Sequence, residues 1–204
     1  MYRRHLLLLG MLLAVALLLT AFLSYPGGSS VDPTTVGFDW KHNYLSNLFG
    51  ERALNGAKNA SRAWAIAGWC MLCITYAFFF IDFSKKIPSP GAAGVIRYCG
   101  VSAMVFAMLI VTRYHDLALT FTTTLGLLSM FYVVVYIFRS RLTLLKVFSV
   151  LCLLICYVDN YIYYSGSFIQ ILPVMQKINM VVVISWILCL YYFTKKEDFQ
   201  LKEA

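Results

Sequence analysis

Apolar residues run along the chain in six blocks, Leu6–Tyr25, Ala63–Ile81, Gly94–Thr112, Leu117–Phe138, Val147–Tyr164 and Ile171–Thr194. Each block is close to the ~20 residues needed to cross the hydrocarbon core of a bilayer. The pattern predicts an all-α fold: a polytopic six-helix transmembrane bundle forming one membrane domain over residues 1–204. The leucine-rich first block also resembles a secretory signal. It is longer than the apolar core of one, and Phe22-Leu23-Ser24-Tyr25-Pro26 offers no Ala-x-Ala cleavage site. An uncleaved first helix is therefore expected.

The connections divide into short and long. Lys85-Lys86-Ile87-Pro88-Ser89-Pro90-Gly91 is a Pro/Gly turn with a basic flank, while Arg139-Ser140-Arg141-Leu142-Thr143 and Ser165-Gly166-Ser167 mark tight hairpins. Only Pro26–Arg62 is long, and loops of that length are usually functional or disordered. Its start, Pro26-Gly27-Gly28-Ser29-Ser30, reads as disordered. From Phe38 to Phe49 the pattern changes to that of an amphipathic helix. Trp40, Tyr44, Leu45, Leu48 and Phe49 share one face, and Asp39, His42, Asn43, Ser46 and Asn47 share the other. Gly50 follows as a C-terminal stop. Such a helix either anchors the loop in the headgroup region or closes a polar site with its other face.

Composition then narrows the class. The chain is 61% hydrophobic and 13% charged, with a mean hydropathy of +0.75. That charged share is about half that of an ordinary soluble domain. A water-soluble enzyme, a disordered regulator and a secreted disulfide scaffold are excluded. All six cysteines (Cys70, Cys73, Cys99, Cys152, Cys156 and Cys189) fall inside apolar blocks. There they read as small apolar side chains.

The net charge of +8 is a topology signal and gives no reason to expect nucleic acid. Arg3, Arg4, Lys85, Lys86, Arg97, Arg139, Arg141, Lys146, Lys195, Lys196 and Lys202 lie on one side with only Asp82, Glu197, Asp198 and Glu203. The other side is nearly balanced. Short cytoplasmic loops collect Lys and Arg, so both termini are expected in the cytoplasm of a multi-pass protein of the plasma (inner) membrane.

Ionisable residues inside membrane segments are costly and usually face a bundle interior or a cavity. At about 1.5 Å per residue, His115 lies about 27 Å beyond Arg97, Asp159 about 20 Å beyond Lys146, and Lys177 about 27 Å from Lys195. Arg113, His115, Asp116, Asp159, Asn160, Gln176, Lys177 and Asn179 therefore all reach the outer third, level with His42, Asn43, Ser46 and Asn47. Arg62 opens the second block on the same side. Asp116, Thr120 and Thr123 or Thr124 follow one helical line, which suits plain helix packing as well as pocket lining. Arg113 with Asp116, and Asp159 with Lys177 or Arg62, could equally be structural ion pairs.

The chemistry open to this cluster is limited. A zinc site would need three His, Asp or Glu ligands and an open position, which His42, His115 and Asp116 or Asp159 could supply. No His-x-x-x-His or His-Glu-x-x-His pair is present to support it. Ser46 with a His and an Asp is possible as a nucleophilic set, but no local motif surrounds the serine. No phosphate-binding loop or nucleotide fingerprint occurs.

The stretch Asp39-Trp40-Lys41-His42-Asn43-Tyr44-Leu45-Ser46-Asn47-Leu48-Phe49-Gly50, the later Arg113-Tyr114-His115-Asp116 and the pair Gln176-Lys177 together carry a resemblance. They resemble the signatures of a six-helix membrane family catalogued as domain of unknown function 998, broadly similar to Frag/DRAM/Sfk-type proteins. Phe49 is an insertion relative to the family's Ser-x-Leu-Gly-like turn. The resemblance implies six helices and an outer-face polar site without an assigned reaction, and it favours a lipid as ligand. A more distant similarity to alkaline ceramidases stops short of their zinc site, because the terminal His pair and seventh helix are lacking.

The expected function is binding or processing of a lipid or amphiphile headgroup in an outer-leaflet pocket. His115, Asp116, Asp159, His42 and Ser46 are the acid, base or nucleophile candidates. Asn43, Asn47, Arg62, Arg113, Asn160, Gln176, Lys177 and Asn179 are the ligand-binding candidates. The alternative is a non-enzymatic structural or partner-binding protein. A metal-dependent membrane hydrolase and a small transporter fit less well, the latter because paired helix breaks are missing.

Overall fold

The structure is a computed structural model that describes residues 3–200. Lys202 and Glu203, counted above among the charges of the C-terminal end, lie outside them. Six long helices carry the chain: α1 Arg3–Leu23, α2 Arg62–Ser84, α3 Pro90–Leu109, α4 His115–Arg139, α5 Thr143–Ser165 and α6 Leu172–Phe193. Among the described residues there is no strand, only two isolated bridges, Gly27 with Val36 and Arg52 with Lys58. All six helices are long and apolar enough to cross a membrane, and this marks an integral, multi-pass membrane protein. Only 22–39% of each apolar window is buried within the protein. Much of the rest, including Leu6, Leu9, Phe78, Val105, Phe131, Leu151 and Val181, is exposed apolar surface. Such a surface suits lipid.

Most helices begin or end a few residues outside their apolar blocks, because backbone hydrogen bonding continues past the point where hydrophobicity stops. α3 starts at Pro90, four residues before the block. Its first helical position takes the proline that the loop reading assigned to a turn, since proline's fixed φ and missing N–H suit that position. α4 opens with Asp116 in its first turn and closes with Arg139 in its last. Both are of favourable sign for the helix dipole.

The chain falls into two compact units. The first comprises residues 1–72 and 158–181. In it α1 buries Leu7, Met11, Ala14, Leu18, Ala21 and Phe22, a stripe at helical spacing. Gly68 of α2 allows close approach: a Cβ there would lie 2.9 Å from Leu18 Cγ and 3.0 Å from its backbone nitrogen. Small residues serve this purpose where membrane helices meet. The second unit comprises residues 73–157 and 182–204. There α3 packs on α4, and Ser129 donates to the Ile96 carbonyl at 3.0 Å. Its centre is aromatic, with Phe79 between Phe80, Phe83 and Trp186. The fully buried Trp186 indole donates to Ser149 Oγ at 2.8 Å. Lys86 Nζ donates to the Thr194 carbonyl and hydroxyl, both at 3.0 Å, just past the end of α6. A lysine placed there satisfies carbonyls that the helix leaves open. Burial holds the Lys86 ammonium below the usual lysine range, against the pull of Asp82 and Asp198.

The first loop departs from its sequence reading in two ways. Pro26–Ser30 is ordered, and Gly27, Gly28 and Ser29 are buried. Gly27 (φ +139°) and Gly28 (φ +83°) take positive φ, which other residues rarely adopt. A Cβ on Gly28 would strike the backbone of Leu54 and Asn55. Gly28 N–H donates to the Thr35 carbonyl at 2.8 Å, and Asn55 N–H to the Gly27 carbonyl at 3.2 Å. The glycines are therefore the seam that lets three backbone segments of the loop touch.

The helix expected over Phe38–Phe49 is reduced to a 3-10 turn, Leu45–Phe49. Before it, Asp39 caps a single turn: its carboxylate accepts from the N–H groups of Lys41 (2.9 Å) and His42 (3.2 Å), and its carbonyl from that of Asn43 (2.9 Å), the pattern of a helix N-cap. Tyr44 is extended, and the 3-10 turn begins afresh after it, with Asn47 Oδ1 accepting from the Tyr44 N–H at 2.7 Å.

Candidate functional site

The polar residues of the first unit assemble around one attachment, where the loop meets the start of α6. Lys177 Nζ donates to the carbonyls of Asn43 and Pro173, each at 2.7 Å, and lies 5.2 Å from the centre of the Phe38 ring. At that range the ring face attracts the ammonium. One residue earlier, Gln176 Oε1 accepts from the Leu45 N–H at 3.2 Å. Phe38 in turn packs edge-on against Phe22, Tyr25 and Trp40. Asn43 is fully buried, and its Nδ2 donates to the Gly28 carbonyl at 2.9 Å. Among the described residues its Oδ1 has no partner. Gln176, Lys177 and Asn43, all read as ligand-binding candidates, are thus engaged in holding the loop.

About one turn further along α6, Asn179 Nδ2 donates to Asp159 Oδ2 of α5 at 3.1 Å. Asp159 Oδ1 is shielded from solvent and has no partner among the described residues. The ion-pair alternatives for Asp159 are not what forms: Lys177 bonds the loop, and Arg62 pairs with Glu51 at 3.2 Å. Asn160 is the next residue on α5 and is half-buried.

His42 finds a partner within the loop. Its Nδ1 lies 2.8 Å from Asp39 Oδ2. Burial pushes the Asp39 carboxyl upward, but hydrogen bonds from His42 and from the Lys41 and His42 backbone outweigh it and hold it below the usual range. Bonds made to the charged form favour that form. Ser46 sits half-buried in the 3-10 turn, and among the described residues no hydrogen bond joins it to His42. A His–Asp pair exists, but without the serine.

In the second unit the turn between α3 and α4 holds the remaining candidates. His115 Nδ1 lies 2.9 Å from Asp116 Oδ1, and Arg113 donates to the Tyr114 hydroxyl at 2.7 Å while stacking on its ring. The threonine line is occupied locally. Thr120 Oγ1 donates to the Asp116 carbonyl and Thr123 Oγ1 to that of Thr120, a helix-internal use of hydroxyls. Among the described residues no three His, Cys, Asp or Glu side chains are grouped as metal ligands.

A second polar feature of the first unit escaped the sequence reading, apart from Arg62. Glu51, Arg52, Lys58, Asn59 and Arg62 line an open depression of about 340 Å³. It is built on a small hairpin in which Ala53 and Ala57 close a three-residue turn and Gly56 takes φ +84°. A glycine of positive φ is usual in a hairpin loop of that length. Asn55-Gly56 is the sequence signal for it. Asn59 fixes the base: its Nδ2 donates to the carbonyls of Asn47 (3.3 Å), Leu48 (3.1 Å) and Gly50 (2.9 Å), while its Oδ1 accepts from the Ser61 hydroxyl at 2.6 Å.

Comparison with family models, with curated proteins and with solved structures gives no match to this chain.

Proposed function

We propose that this membrane protein binds the polar headgroup of a lipid or amphiphile beside its first loop, with Asp159 as the central acceptor. The observation that carries this reading is the divided environment of that carboxyl group. One oxygen is bonded by Asn179, while the other is shielded and, among the described residues, unpartnered within a membrane-spanning helix. An unmet acceptor in that setting costs about 1–3 kcal/mol, more if charged, and a ligand hydroxyl or ammonium would offset it. The loop held by Lys177 and Gln176 is then the strap beside the site. The charge asymmetry supports an outer-face position for this loop, with both termini cytoplasmic in an inner or plasma membrane. The reading also agrees with what the resemblance to the family of unknown function 998 implies.

A structural, partner-binding role is the second reading. It is favoured by the use of Asn43, Gln176 and Lys177 in loop attachment, where a ligand would otherwise find them. Mass spectrometry of lipids retained by the detergent-purified chain separates the two. Asp159→Asn, with unchanged thermal unfolding, should lose a lipid species that the unaltered chain retains. Identical lipid profiles in both would leave the structural reading.

A further inference from the structure

We propose that the depression lined by Glu51, Arg52, Lys58, Asn59 and Arg62 is an anion site that takes a phosphate group, and that the Glu51 carboxylate occupies part of it in the empty state. The site shares no residue with the Asp159–Asn179 pair, so its failure would leave the preceding reading untouched.

Three independent features converge. The hairpin pairs Arg52 directly opposite Lys58. Like charges at opposed positions destabilise a β-pair, so the arrangement favours an anion placed between them. Arg62, the first residue of α2, adds a third cation, and the first turn of that helix holds no acid. This is the positive end of the helix dipole. Finally, Arg62 Nε is shielded from solvent and has no acceptor among the described residues, although its Nη1 is bonded to Glu51 Oε1 at 3.2 Å. The Nε–H points to the same side of the guanidinium as Nη2, and these two form the fork that matches two oxygens of one tetrahedral anion. Glu51, bonded to Nη1, leaves the Nε open.

Glu51 is also a weak occupant. Its side chain is 82% exposed, and an exposed ion pair contributes little. A phosphate oxygen pair can displace it, satisfy Nε and bring negative charge to Arg52 and Lys58 together. Arg52 Nη1 donates to the Gly56 carbonyl at 2.9 Å, and a guanidinium has five N–H donors in all, so others remain for the anion. Asn59 acts as a positioning residue: its bonds to three carbonyls hold the floor of the depression and leave its side chain no donor for the anion. A volume of about 340 Å³ admits a phosphate with its ester substituent, being within the size range of small-ligand pockets.

The phosphate could belong to a phospholipid headgroup or be free in solution. Both sources are tested with the full chain in a non-ionic detergent, by the shift of thermal unfolding with added short-chain phosphatidylglycerol or inorganic phosphate. Stabilisation by the lipid alone assigns a headgroup; equal stabilisation by both, at matched charge, assigns a free anion. In either case Arg52→Gln with Lys58→Gln should weaken binding by roughly tenfold or more, the equivalent of one good charged contact. Arg62→Lys, which keeps the charge but loses the fork, should also weaken it. Glu51→Gln should tighten binding several-fold, an effect that misfolding cannot produce. Stabilisation by neither ligand, or equal affinity in the double variant, would overturn the assignment.

Discussion

The Lys177 ammonium donates to the Asn43 carbonyl at 2.7 Å, joining residues 134 positions apart in the chain. The same ammonium bonds the Pro173 carbonyl one turn back on α6, so a single side chain clasps the loop to the helix that carries it. This clasp explains why a stretch rich in polar residues is ordered beside apolar helices.

Replacing the clasp is the most direct check on its role. Lys177→Met keeps much of the length of the side chain and removes its donors. Loss of a hydrogen bond from a charged donor, with two carbonyls left unmet, should cost about 1.5–3 kcal/mol. The expected result is a lower unfolding temperature and faster tryptic cleavage after Arg52 and Lys58. Unchanged cleavage would mean that Gln176 and the Phe38 aromatic cluster hold the loop without the lysine.

The glycine seam makes a separate prediction. Gly28→Ala places a side chain at φ +83° and drives its Cβ into the backbone of Leu54 and Asn55. Strain of this type costs about 1–3 kcal/mol. Gly56 also has positive φ, but open space surrounds its missing Cβ, so Gly56→Ala should be milder. Thermal unfolding of the two variants, side by side, tests whether steric contact or backbone conformation dominates.

Asp39 sets a pH dependence for the loop. Its carboxyl is held below the usual range in the folded chain, so the unfolded loop binds the proton more readily. The resulting stability is fully present above the ordinary aspartate pKa of about 4 and is lost as pH falls through the folded value. Trp40 fluorescence or amide exchange at Lys41 and His42, followed from pH 6 to pH 2, should report local loosening in acid. Asp39→Asn keeps an acceptor for the two backbone N–H groups and should flatten the acid dependence, while weakening the contact to His42.

The same residues show how much was legible beforehand and why the rest was not. Helix number and approximate limits follow from block length, because bilayer thickness and helix rise are fixed physical lengths. The level of Asp159, Lys177 and Gln176 along their helices was legible for the same reason. Their partners were not. Lys177 reads from its depth as a ligand-binding cation or a partner for Asp159, and its donors go to Asn43 and Pro173. His42 reads as a metal or catalytic candidate, yet its neighbour is Asp39. Arg52 and Lys58 read only as loop charges, although Asn55-Gly56 between them already signals the turn that sets them opposite each other.

The sequence by itself determined the membrane class, the six helices and the position of each polar residue along its helix, since these depend on local composition and on regular geometry. The tertiary structure alone decided that the first loop is ordered, that Phe38–Phe49 breaks into two separately capped turns, and which polar atoms are left over. Those outcomes turn on competition for donors and acceptors between segments far apart in the chain. Such competition is resolved only when Gly28 meets Asn55, Lys177 meets Asn43, and one oxygen of Asp159 finds no partner among the described residues.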